Sequence, residues 1–532
     1  MLSIFYTNKY DNKLAVITQD KSYTYLEIKN QVAWQIENIK NKKDNVVILS
    51  GDNYKFIINF FAALFCNKNI YLLTDKTRLN TLKMDFDLLD EVSGKSLENY
   101  EFPQVNQTVP FINFYTSGSS FEPKNIKKSL YNLVQEAEIL GKECNIKNDD
   151  YTVLLTTSMC HLYGLVFSLI YPFYSGYKID IRAISSPEDI DGDKTILIST
   201  PTFLNSIQKY NVSFKTPPKY IFSAGSKLGE DIFKFLEKNS IVIDIYGSTE
   251  TGTVGQKFHY DSPFSIFGNV QIIPYENYAE IISEGIYGSK TIVNDKIEVK
   301  DGLFEVKHRT DRLFKVYEKR ISSDELERDL KKSELVSDCY IMKHREKPVC
   351  LCALSQQGQK YLLKYGVPSL SAELKQFLRK YSEIVPQRWK YIDSIPMTLT
   401  GKINKKIIEH FFNLKLSLPI ILDRTIQGDN IEYKIFFYNQ CNFFKGHFPQ
   451  FKLLPGVVQL YYAKEFANIH FNLTLGEGQW KKIKFSNIIE PDSIVHLKLE
   501  KSKKYVSYEY YSDTKKYSSG MFLCENVFKE LK

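Results

Sequence analysis

The 532-residue sequence predicts a multidomain α/β protein, with a large layered α/β region followed by two smaller α+β regions. Three observations lead to this prediction. The chain is too long for one ordinary core, so roughly two to four domains are expected. Hydrophobic residues make up 43% and charged residues 25%, as in soluble globular proteins. The hydrophobic pattern also changes along the chain, which places the predicted domains at residues 1–309, 310–412 and 418–532.

In the first 300 or so residues, short apolar runs alternate with amphipathic segments. The runs are residues 45–50, 151–158, 195–200, 219–225 and 241–247. Continuous apolar strands alternating with helices predict a layered domain with buried sheets. The two longest apolar stretches, 56–66 and 162–174, are shorter than the roughly 20 residues that a membrane span needs. They predict core helices, and we expect no stable membrane anchor.

The second region, from about Arg312 to Phe412, contains short strand and helix patterns. After Leu418 the pattern becomes alternating, as in residues 494–500 and 504–511. A single helical segment, 456–469, begins directly after Pro455. This pattern predicts a small α+β domain in which one helix packs against a sheet.

Charge and cysteine content limit the class of protein. The net charge is +8, and residues 418–532 hold 16 Lys and Arg against 12 Asp and Glu. Such a weak basic bias suits an acidic partner such as a carrier protein, although ordinary solvated lysines explain it equally well. We expect no nucleic-acid partner. The first residues lack the pattern of a secretory signal, and the eight Cys include no CxxC pair, so reduced thiols in a cytoplasmic protein are expected.

A candidate anion-binding loop lies within residues 111–129. A strand-like run enters a Thr/Ser/Gly cluster and is followed by Pro123 and Lys124. Hydroxyls and free backbone N–H groups around a glycine make an anion cradle, and Lys124 adds fixed positive charge. The GxxxxGK[ST] pattern is absent, which disfavours a plain Walker-type ATPase.

The loop TSGSSFEPK at 116–124 resembles the phosphate loop of adenylate-forming enzymes, which include acyl-CoA synthetases, acyl-carrier-protein ligases and peptide-synthetase adenylation domains. Four further segments resemble motifs of that family in the family's order: SMCHLYG (158–164, acyl-pocket helix), YGSTE (246–250, adenine and magnesium), HRTDRLFKVYEKRISSDELE (308–327, hinge) and PMTLTGKINKK (396–406, lysine loop). Five motifs in order across residues 116–406 are far more specific than any one of them.

The resemblance implies a fold, a reaction and its cofactors. The fold would be a large layered N-terminal domain with a small mobile α+β lid. The reaction would use ATP and Mg²⁺ to activate a small carboxylic acid, fatty or aryl, as an acyl-adenylate. The acyl group would then pass to the pantetheine thiol of an acyl carrier protein or of CoA. Because a carboxylate must attack a phosphate, the site needs dense positive charge and oriented donors.

The resemblance also assigns roles to individual residues. The phosphates would be cradled by Thr116, Ser117, Gly118, Ser119, Ser120 and Lys124. The adenine would be bound by Ser223, Ala224, Gly225, Tyr246, Gly247 and Ser248. Thr249 would contact the α-phosphate, and Glu250 would hold Mg²⁺. Asp295 would bind the ribose, with Asp301 as a weaker alternative, and Arg309 would reach ribose or phosphate.

The remaining roles concern the acid and the lid. Lys402 would bridge the substrate carboxylate and the α-phosphate, and Asp311 would be the hinge between the two half-reactions. His161 and Gly164 would belong to the acyl pocket, although a packed core histidine is an equal alternative for His161. The sequence departs from the family where Phe121, His308 and Glu318 replace glycines. These departures leave the acyl acceptor more open than the ATP chemistry.

The segment FFKGHFPQFKLLPGVVQLYYAKEF at 443–466 resembles the hotdog fold of 3-hydroxyacyl-carrier-protein dehydratases. In that family His447 would be the general base, and the backbone N–H groups of Gly456 and Val457 would polarise the thioester carbonyl. The family's acidic residue would fall at Tyr461, which is not a carboxylate; Glu465 lies one helical turn further on. The catalytic partner of His447 therefore remains open between Glu465, Tyr461 and water.

The sequence thus predicts a ligase fused to a 3-hydroxyacyl dehydratase, with homo-oligomers formed through the hotdog domain as a further expectation. Two alternatives remain. The hotdog domain would be an inactive thioester-binding module, or the whole chain would be a non-enzymatic module that holds acyl carrier proteins with one or both sites decayed. Retention of Lys124, Glu250, Asp311 and Lys402 together argues against the second alternative.

Overall fold

The computed structural model describes residues 2–523 except 75, 77–78, 80–81, 83, 110, 117–123, 145, 147–149, 310–311, 317–318, 346, 399–402, 415, 445–450, 472, 474–479 and 503. For 116, 209–210, 308–309, 313–316 and 319–321 it describes the backbone alone. The described residues form two compact units, 2–309 and 312–523.

The first unit is a layered α/β unit. Its helices are α1 (Ser3–Tyr6), α2 (Tyr25–Ile39), α3 (Asn53–Phe65), α4 (Leu130–Glu143), α5 (Leu162–Leu165), α6 (Tyr171–Ser175), α7 (Pro201–Tyr210) and α8 (Glu230–Leu236); a π-helical turn (Val166–Ile170) joins α5 to α6. Its strands are β1 (Leu14–Ile17), β2 (Ser22–Thr24), β3 (Asn45–Leu49), β4 (Asn69–Leu73), β5 (Asp87–Leu88), β6 (Phe111–Thr116), β7 (Lys124–Ser129), β8 (Thr152–Leu155), β9 (Lys178–Asp180), β10 (Thr195–Ser199), β11 (Tyr220–Ser223), β12 (Ile241–Ser248), β13 (Gly252–Lys257), β14 (Phe264–Ile266), β15 (Val270–Pro274), β16 (Ala279–Ser283), β17 (Lys290–Val293), β18 (Asp295–Lys300) and β19 (Leu303–Arg309).

Two large sheets of this unit carry the predicted motifs. One has the strand order β18-β19-β14-β13-β12-β11-β10-β8-β9-β1-β2, and β8, β10, β11 and β12 run parallel within it. The other has the order β5-β3-β4-β6-β7. Every apolar run predicted as a buried strand forms one, and the stretch 56–66 forms the buried helix α3 because all of its side chains through Phe65 face protein.

The second unit begins with the region predicted as the lid. Its elements are β20 (Leu313–Val316), β21 (Lys319–Ser322), α9 (Ser323–Leu330), β22 (Val336–His344), β23 (Lys347–Leu354), α10 (Gln356–Leu378), β24 (Arg388–Ile392) and α11 (Lys405–Asn413). Strands β22, β23 and β24 form one small sheet, and β20 pairs with β21.

The hotdog region follows in the same unit. Its elements are β25 (Ile420–Gln427), β26 (Asn430–Phe437), a 3₁₀ turn (Asn442–Phe444), α12 (Gly456–Phe471), β27 (Trp480–Phe485), β28 (Ser493–Lys501), β29 (Tyr505–Tyr511) and β30 (Lys516–Leu523). The antiparallel sheet has the order β25-β26-β28-β29-β30-β27, and α12 buries Tyr462 and Phe466 against it. The prediction of one helix against a sheet is confirmed.

The lid and the hotdog region share hydrophobic cores. One core joins Val349 and Leu351 of β23 to Phe437 of β26 and Tyr462 of α12. A second core joins lid residues such as Leu374 to Phe436 on β26. The two predicted domains therefore pack into one compact unit. Across the described ranges, each helix is too short or too polar to cross a bilayer.

Candidate functional site

The two ends of the predicted phosphate loop form a hairpin. β6 and β7 are antiparallel neighbours, and Thr116 lies opposite Lys124 in their register. Phe114 is buried, whereas Lys124 is exposed. The hairpin therefore brings the predicted loop ends together with the Lys124 ammonium in solvent. Ser117, Gly118, Ser119 and Ser120 lie outside the described residues.

The segment YGSTE forms the tight turn between β12 and β13, which we name the glutamate turn (residues 247–252). Ser248 lies opposite Gly252, and the Ser248 N–H donates to Thr251 Oγ1 at 2.8 Å. The Thr251 N–H donates back to Ser248 Oγ at 3.2 Å. A Cβ on Gly247 would lie 2.3 Å from the Gly252 carbonyl oxygen, so this close approach requires glycine. Thr249 and Glu250 occupy the tip and are half-buried.

A buried ion pair lies against this turn. Lys128 of β7 and Glu136 of α4 are both buried, with 3.9 Å between Lys128 Nζ and Glu136 Oε1. Neither residue belongs to the site residues predicted from the motifs. A strand alternates its faces, so of the adjacent Lys127 and Lys128 one side chain must point inward. That alternation is the signal in the sequence that could have indicated a buried lysine here.

Tyr246 lies on β12 directly before the glutamate turn, and its side chain meets Asp295. The Tyr246 hydroxyl donates to Asp295 Oδ2 at 2.5 Å, and Asp295 is buried. Arg309 lies opposite Asp295 in the β18–β19 register. Asp301 sits in the turn at the far end of β18, roughly 20 Å along an extended strand. This geometry favours Asp295 over Asp301 as the residue that accompanies Tyr246.

The predicted adenine-binding segment 223–225 begins at the end of β11, where polar groups are buried. Ser223 at the end of β11 lies beside Asp244 of β12, and the Ser223 hydroxyl is buried without a hydrogen-bond partner among the described residues. Burial raises the pKa of Asp244 to about 7, although Lys257, 4.0 Å away, favours the charged form. Ala224 follows, also buried. Gly225 has a φ of +94° with open space beside it, so a backbone approach from that side is unobstructed.

The predicted acyl-pocket segment starts α5. His161 is the N-cap residue of this helix and is partly exposed. A Cβ on Gly164 would lie 2.1 Å from the Ser158 carbonyl oxygen, so Gly164 is required by this close packing. Ser158 Oγ is 2.9 Å from Ser50 Oγ, which ties the segment to the end of β3.

Asp311 and Lys402 lie outside the described residues. Arg312, which follows the predicted hinge, is anchored to the lid. Its Nε donates to Asp324 at 2.8 Å, it also pairs with Glu327, and it stacks 4.3 Å from the centre of the Tyr340 ring. Burial raises the pKa of Glu327 to about 7, against the opposing charge of Arg312.

The start of α12 is shaped by a glycine. A Cβ on Gly456 would lie 2.6 Å from the Phe485 ring, so a larger residue there would require that ring to move. Val457 is 73% exposed although it is apolar. These residues form the predicted helix N-terminus for a thioester carbonyl. His447 lies outside the described residues.

The two candidate acids of α12 have different surroundings. Tyr461 is partly buried, with its ring 5.2 Å from that of Tyr462. Glu465 Oε2 is 2.7 Å from Nε2 of His410, a residue of the lid helix α11. Glu465 therefore already has a partner across the boundary between lid and hotdog region.

Two family models match separate parts of the chain. The model of the AMP-binding enzyme family matches residues 70–268, and that of the ApeI dehydratase family (ApeI-like) matches residues 423–521. Bacitracin synthase 2 of Bacillus licheniformis is 23% identical over 478 residues, which is 74% of this chain and 18% of that protein. The D-alanine–D-alanyl carrier protein ligase of Listeria welshimeri is 28% identical over 119 residues, 22% of this chain and 23% of that protein.

The chain thus spans less than a quarter of the length of either relative. Among solved structures, ATP-bound MatB from Rhodopseudomonas palustris superposes with a TM-score of 0.65 at 14% identity, covering 77% of this chain and 98% of that one. The predicted adenylate-forming fold is confirmed by this likeness. The chain contains an AMP-binding enzyme domain in its N-terminal region and an ApeI-like dehydratase domain, of the hotdog type, at its C-terminus.

Proposed function

We propose that the chain activates a fatty or aryl carboxylic acid with ATP as an acyl-adenylate and passes the acyl group to the pantetheine thiol of an acyl carrier protein or CoA. A second proposed activity is dehydration of 3-hydroxyacyl thioesters by the hotdog domain. The observation that carries the ligase proposal is the glutamate turn, in which Thr249 and Glu250 project from a hairpin held by Ser248 and Thr251.

The nucleotide-binding part of the proposal rests on Tyr246 and Asp295. Their hydrogen bond fixes a tyrosine ring next to a buried carboxylate, which suits adenine stacking beside a ribose hydroxyl acceptor. The AMP-binding family match and the fold shared with ATP-bound MatB support this assignment. Lys124 supplies the charge next to the phosphates.

Glu250 suits a magnesium ion. The described ranges contain no group of three or more His, Cys, Asp or Glu side chains that would form a complete protein cage for a metal. Mg²⁺ commonly binds through one or two carboxylates, with substrate phosphates and water filling the other positions. Glu250 would hold the Mg²⁺ ion, which would neutralise phosphate charge. Lys402 would orient the attacking carboxylate.

Lys402→Ala tests the ligase assignment. We expect it to abolish acid-dependent pyrophosphate release, since one lost transition-state contact costs on the order of 3 kcal/mol. Thioester formation from a supplied acyl-adenylate should continue, because no pyrophosphate leaves in that step. Lys405→Ala, three residues later in α11, is the matched control. Pyrophosphate release by Lys402→Ala at the wild-type rate would contradict the proposed role.

In the hotdog domain, His447 would remove the α-proton, and the N–H groups of Gly456 and Val457 would polarise the thioester carbonyl. An alternative is a thioester-binding module without dehydratase activity. The 2.7 Å contact between Glu465 and His410 favours this alternative, because a carboxylate engaged by another side chain is less available as an acid.

His447→Ala and Glu465→Gln distinguish these possibilities. If the domain is a dehydratase, His447→Ala should reduce dehydration of a carrier-bound 3-hydroxyacyl thioester roughly 100-fold to 10,000-fold while pyrophosphate release stays intact. Loss of dehydration in Glu465→Gln would identify Glu465 as the acid. If the wild-type protein dehydrates no carrier-bound 3-hydroxyacyl substrate, the binding-module alternative is preferred.

We also propose that the protein acts in the cytoplasm and forms homo-oligomers through the hotdog domain. β27 lies at the edge of the described hotdog sheet and exposes Ile483 and Phe485, which are 39% and 49% accessible. An unpaired sheet edge with exposed apolar side chains favours pairing with another chain. Phe485→Lys should shift the mass measured by light scattering toward the monomer, and an unchanged mass would argue against this edge.

A further inference from the structure

Lys128 is buried completely in the first unit. It lies on β7, four residues after Lys124, and none of its side chain is exposed. Burial lowers the pKa of Lys128, while the negative charges of Glu136 and Glu250 oppose that shift. An ammonium group leaves water at high cost unless polar partners replace the lost hydration. The identity of those partners therefore indicates what the lysine does.

The Lys128 ammonium binds two backbone carbonyls. Its Nζ donates to the carbonyl oxygen of Gly285 and, at 3.3 Å, to that of Glu250. Glu250 is the residue proposed to hold Mg²⁺. The lysine therefore contacts the main chain of the proposed metal ligand, not its carboxylate.

Glu136 holds the return side of the same turn. Its Oε2 accepts a hydrogen bond from the Thr253 N–H at 3.2 Å. Gly252, between Glu250 and Thr253, has a φ of +68°, and a Cβ there would lie 2.6 Å from Glu136 Oε1. The turn and the carboxylate are therefore in close contact, so the turn has no room to move toward α4.

We propose that Lys128 is a positioning residue for the ATP and Mg²⁺ site, fixing the main chain of Glu250 relative to the phosphate loop. The strand that begins with Lys124, at the end of the phosphate loop, also carries Lys128. The buried pair of Lys128 and Glu136 thereby connects β7 to the glutamate turn. This inference rests on the proposed function, because it takes Glu250 as the magnesium ligand.

A second buried lysine shows that burial alone does not define this role. Lys29 pairs with Asp11 and donates to the Thr7 carbonyl at 2.7 Å, and these contacts involve no residue of the proposed site. Lys127, the neighbour of Lys128, is exposed on the opposite face of β7. The contact with the Glu250 carbonyl distinguishes Lys128 from both.

The test compares Lys128→Met with Lys127→Met in the full-length protein. The measured quantities are the dissociation constant of ATP by calorimetry across a Mg²⁺ titration, and the melting temperature. We expect Lys128→Met to raise the Mg²⁺ concentration for half-maximal ATP binding about tenfold, the effect of one lost hydrogen bond from a charged group. Lys127→Met should stay within about twofold of wild type.

Lys128→Met leaves Glu136 buried without its partner, so we expect its melting temperature to fall. The double variant Lys128→Met/Glu136→Gln removes that unpaired charge. We expect the double variant to recover melting temperature while keeping the raised Mg²⁺ requirement, since the bond to the Glu250 carbonyl is still missing. A merely structural pair would recover both properties together, and that result would overturn the inference. An unchanged Mg²⁺ requirement in Lys128→Met would overturn it as well.

A separate measurement tests the proposed ligase function independently of the role of Lys128. Pyrophosphate release by the wild-type protein is measured in parallel with a panel of acids. Mg²⁺-dependent ATP binding without acid-dependent pyrophosphate release would contradict the ligase proposal, while the comparison of Lys128→Met with Lys127→Met would still decide the role of Lys128.

Discussion

At the scale of single residues, burial sets the charge states around the candidate site. Asp244 is 3% exposed on β12, two residues before Tyr246. Burial raises its pKa to about 7, and Lys257 and Lys227 act in the opposite direction. An aspartate that is charged in the unfolded chain at neutral pH therefore retains a proton in the fold over a wide pH range.

This shift predicts a pH-dependent stability. The folded state holds the Asp244 proton up to about pH 7, whereas the unfolded chain releases it near pH 4. Stability therefore falls as pH rises between these values, by at most about 1.4 kcal/mol per pH unit. Asp244→Asn has no titrating group at this position, so this loss of stability with rising pH should be absent from the variant.

Urea denaturation at pH 5, 6 and 7 checks the Asp244 prediction. The unfolding free energy of Asp244→Asn minus that of wild type should increase by on the order of 1–2 kcal/mol from pH 5 to pH 7. Asp193→Asn, at an exposed carboxylate, should follow the wild-type curve. A difference between Asp244→Asn and wild type that does not change with pH would contradict the prediction.

Much of the candidate site was predictable at this scale because its motifs are local in sequence. YGSTE forms a single hairpin turn, so the sequence alone was enough to group Tyr246 with Glu250. The pairing of Tyr246 with Asp295 joins residues 49 apart, and the placement of Asp295 depended on the family resemblance. Lys128 and Glu136 were missed because solvated lysines are far commoner than buried ones, and only the fold shows which face of β7 is covered.

At the scale of elements, the strand and helix predictions were confirmed wherever the apolar pattern was continuous. The run 241–247 became β12, and the predicted helix 456–469 became α12 (Gly456–Phe471). The packing of the lid against the hotdog region could not be predicted in this way. It depends on which side chains of β24 and β25 face each other, and neither strand carries that information in its own periodicity.

One ion pair joins these two regions. Arg424 of β25 lies 3.0 Å from Asp393, which follows β24, and also donates to Ser394 Oγ at 2.6 Å. The Asp393 side chain is 11% exposed, and burial raises its pKa. Loss of Arg424 would leave this carboxylate without its charged partner.

Arg424→Met should therefore destabilise the second unit by about 2 kcal/mol, less than the loss of a fully buried pair because Arg424 is partly exposed. His410→Ala, which removes the half-exposed contact with Glu465, is the control and should cost about 1 kcal/mol or less. Denaturant unfolding of both variants gives the comparison. An equal loss of unfolding free energy in the two variants would contradict a larger stabilising effect of the Arg424–Asp393 pair between lid and hotdog region.

At the scale of the whole molecule, the chain combines two families that both handle thioesters in the proposed scheme. An adenylate-forming domain would make an acyl thioester, and a hotdog domain in the same chain would receive a related one. Fusion raises the effective concentration of one domain's product near the active site of the other domain. The shared cores of lid and hotdog region mean that the second unit folds as one compact body.

Isotope exchange between pyrophosphate and ATP measures formation of the proposed acyl-adenylate directly. The purified full-length protein is incubated with ATP, Mg²⁺, labelled pyrophosphate and a panel of fatty and aryl acids. We expect labelled ATP to form only with Mg²⁺ and one class of acid, and AMP to accumulate once carrier protein or CoA is added. Release of ADP and phosphate, or no acid-dependent exchange from protein that binds ATP, would contradict it.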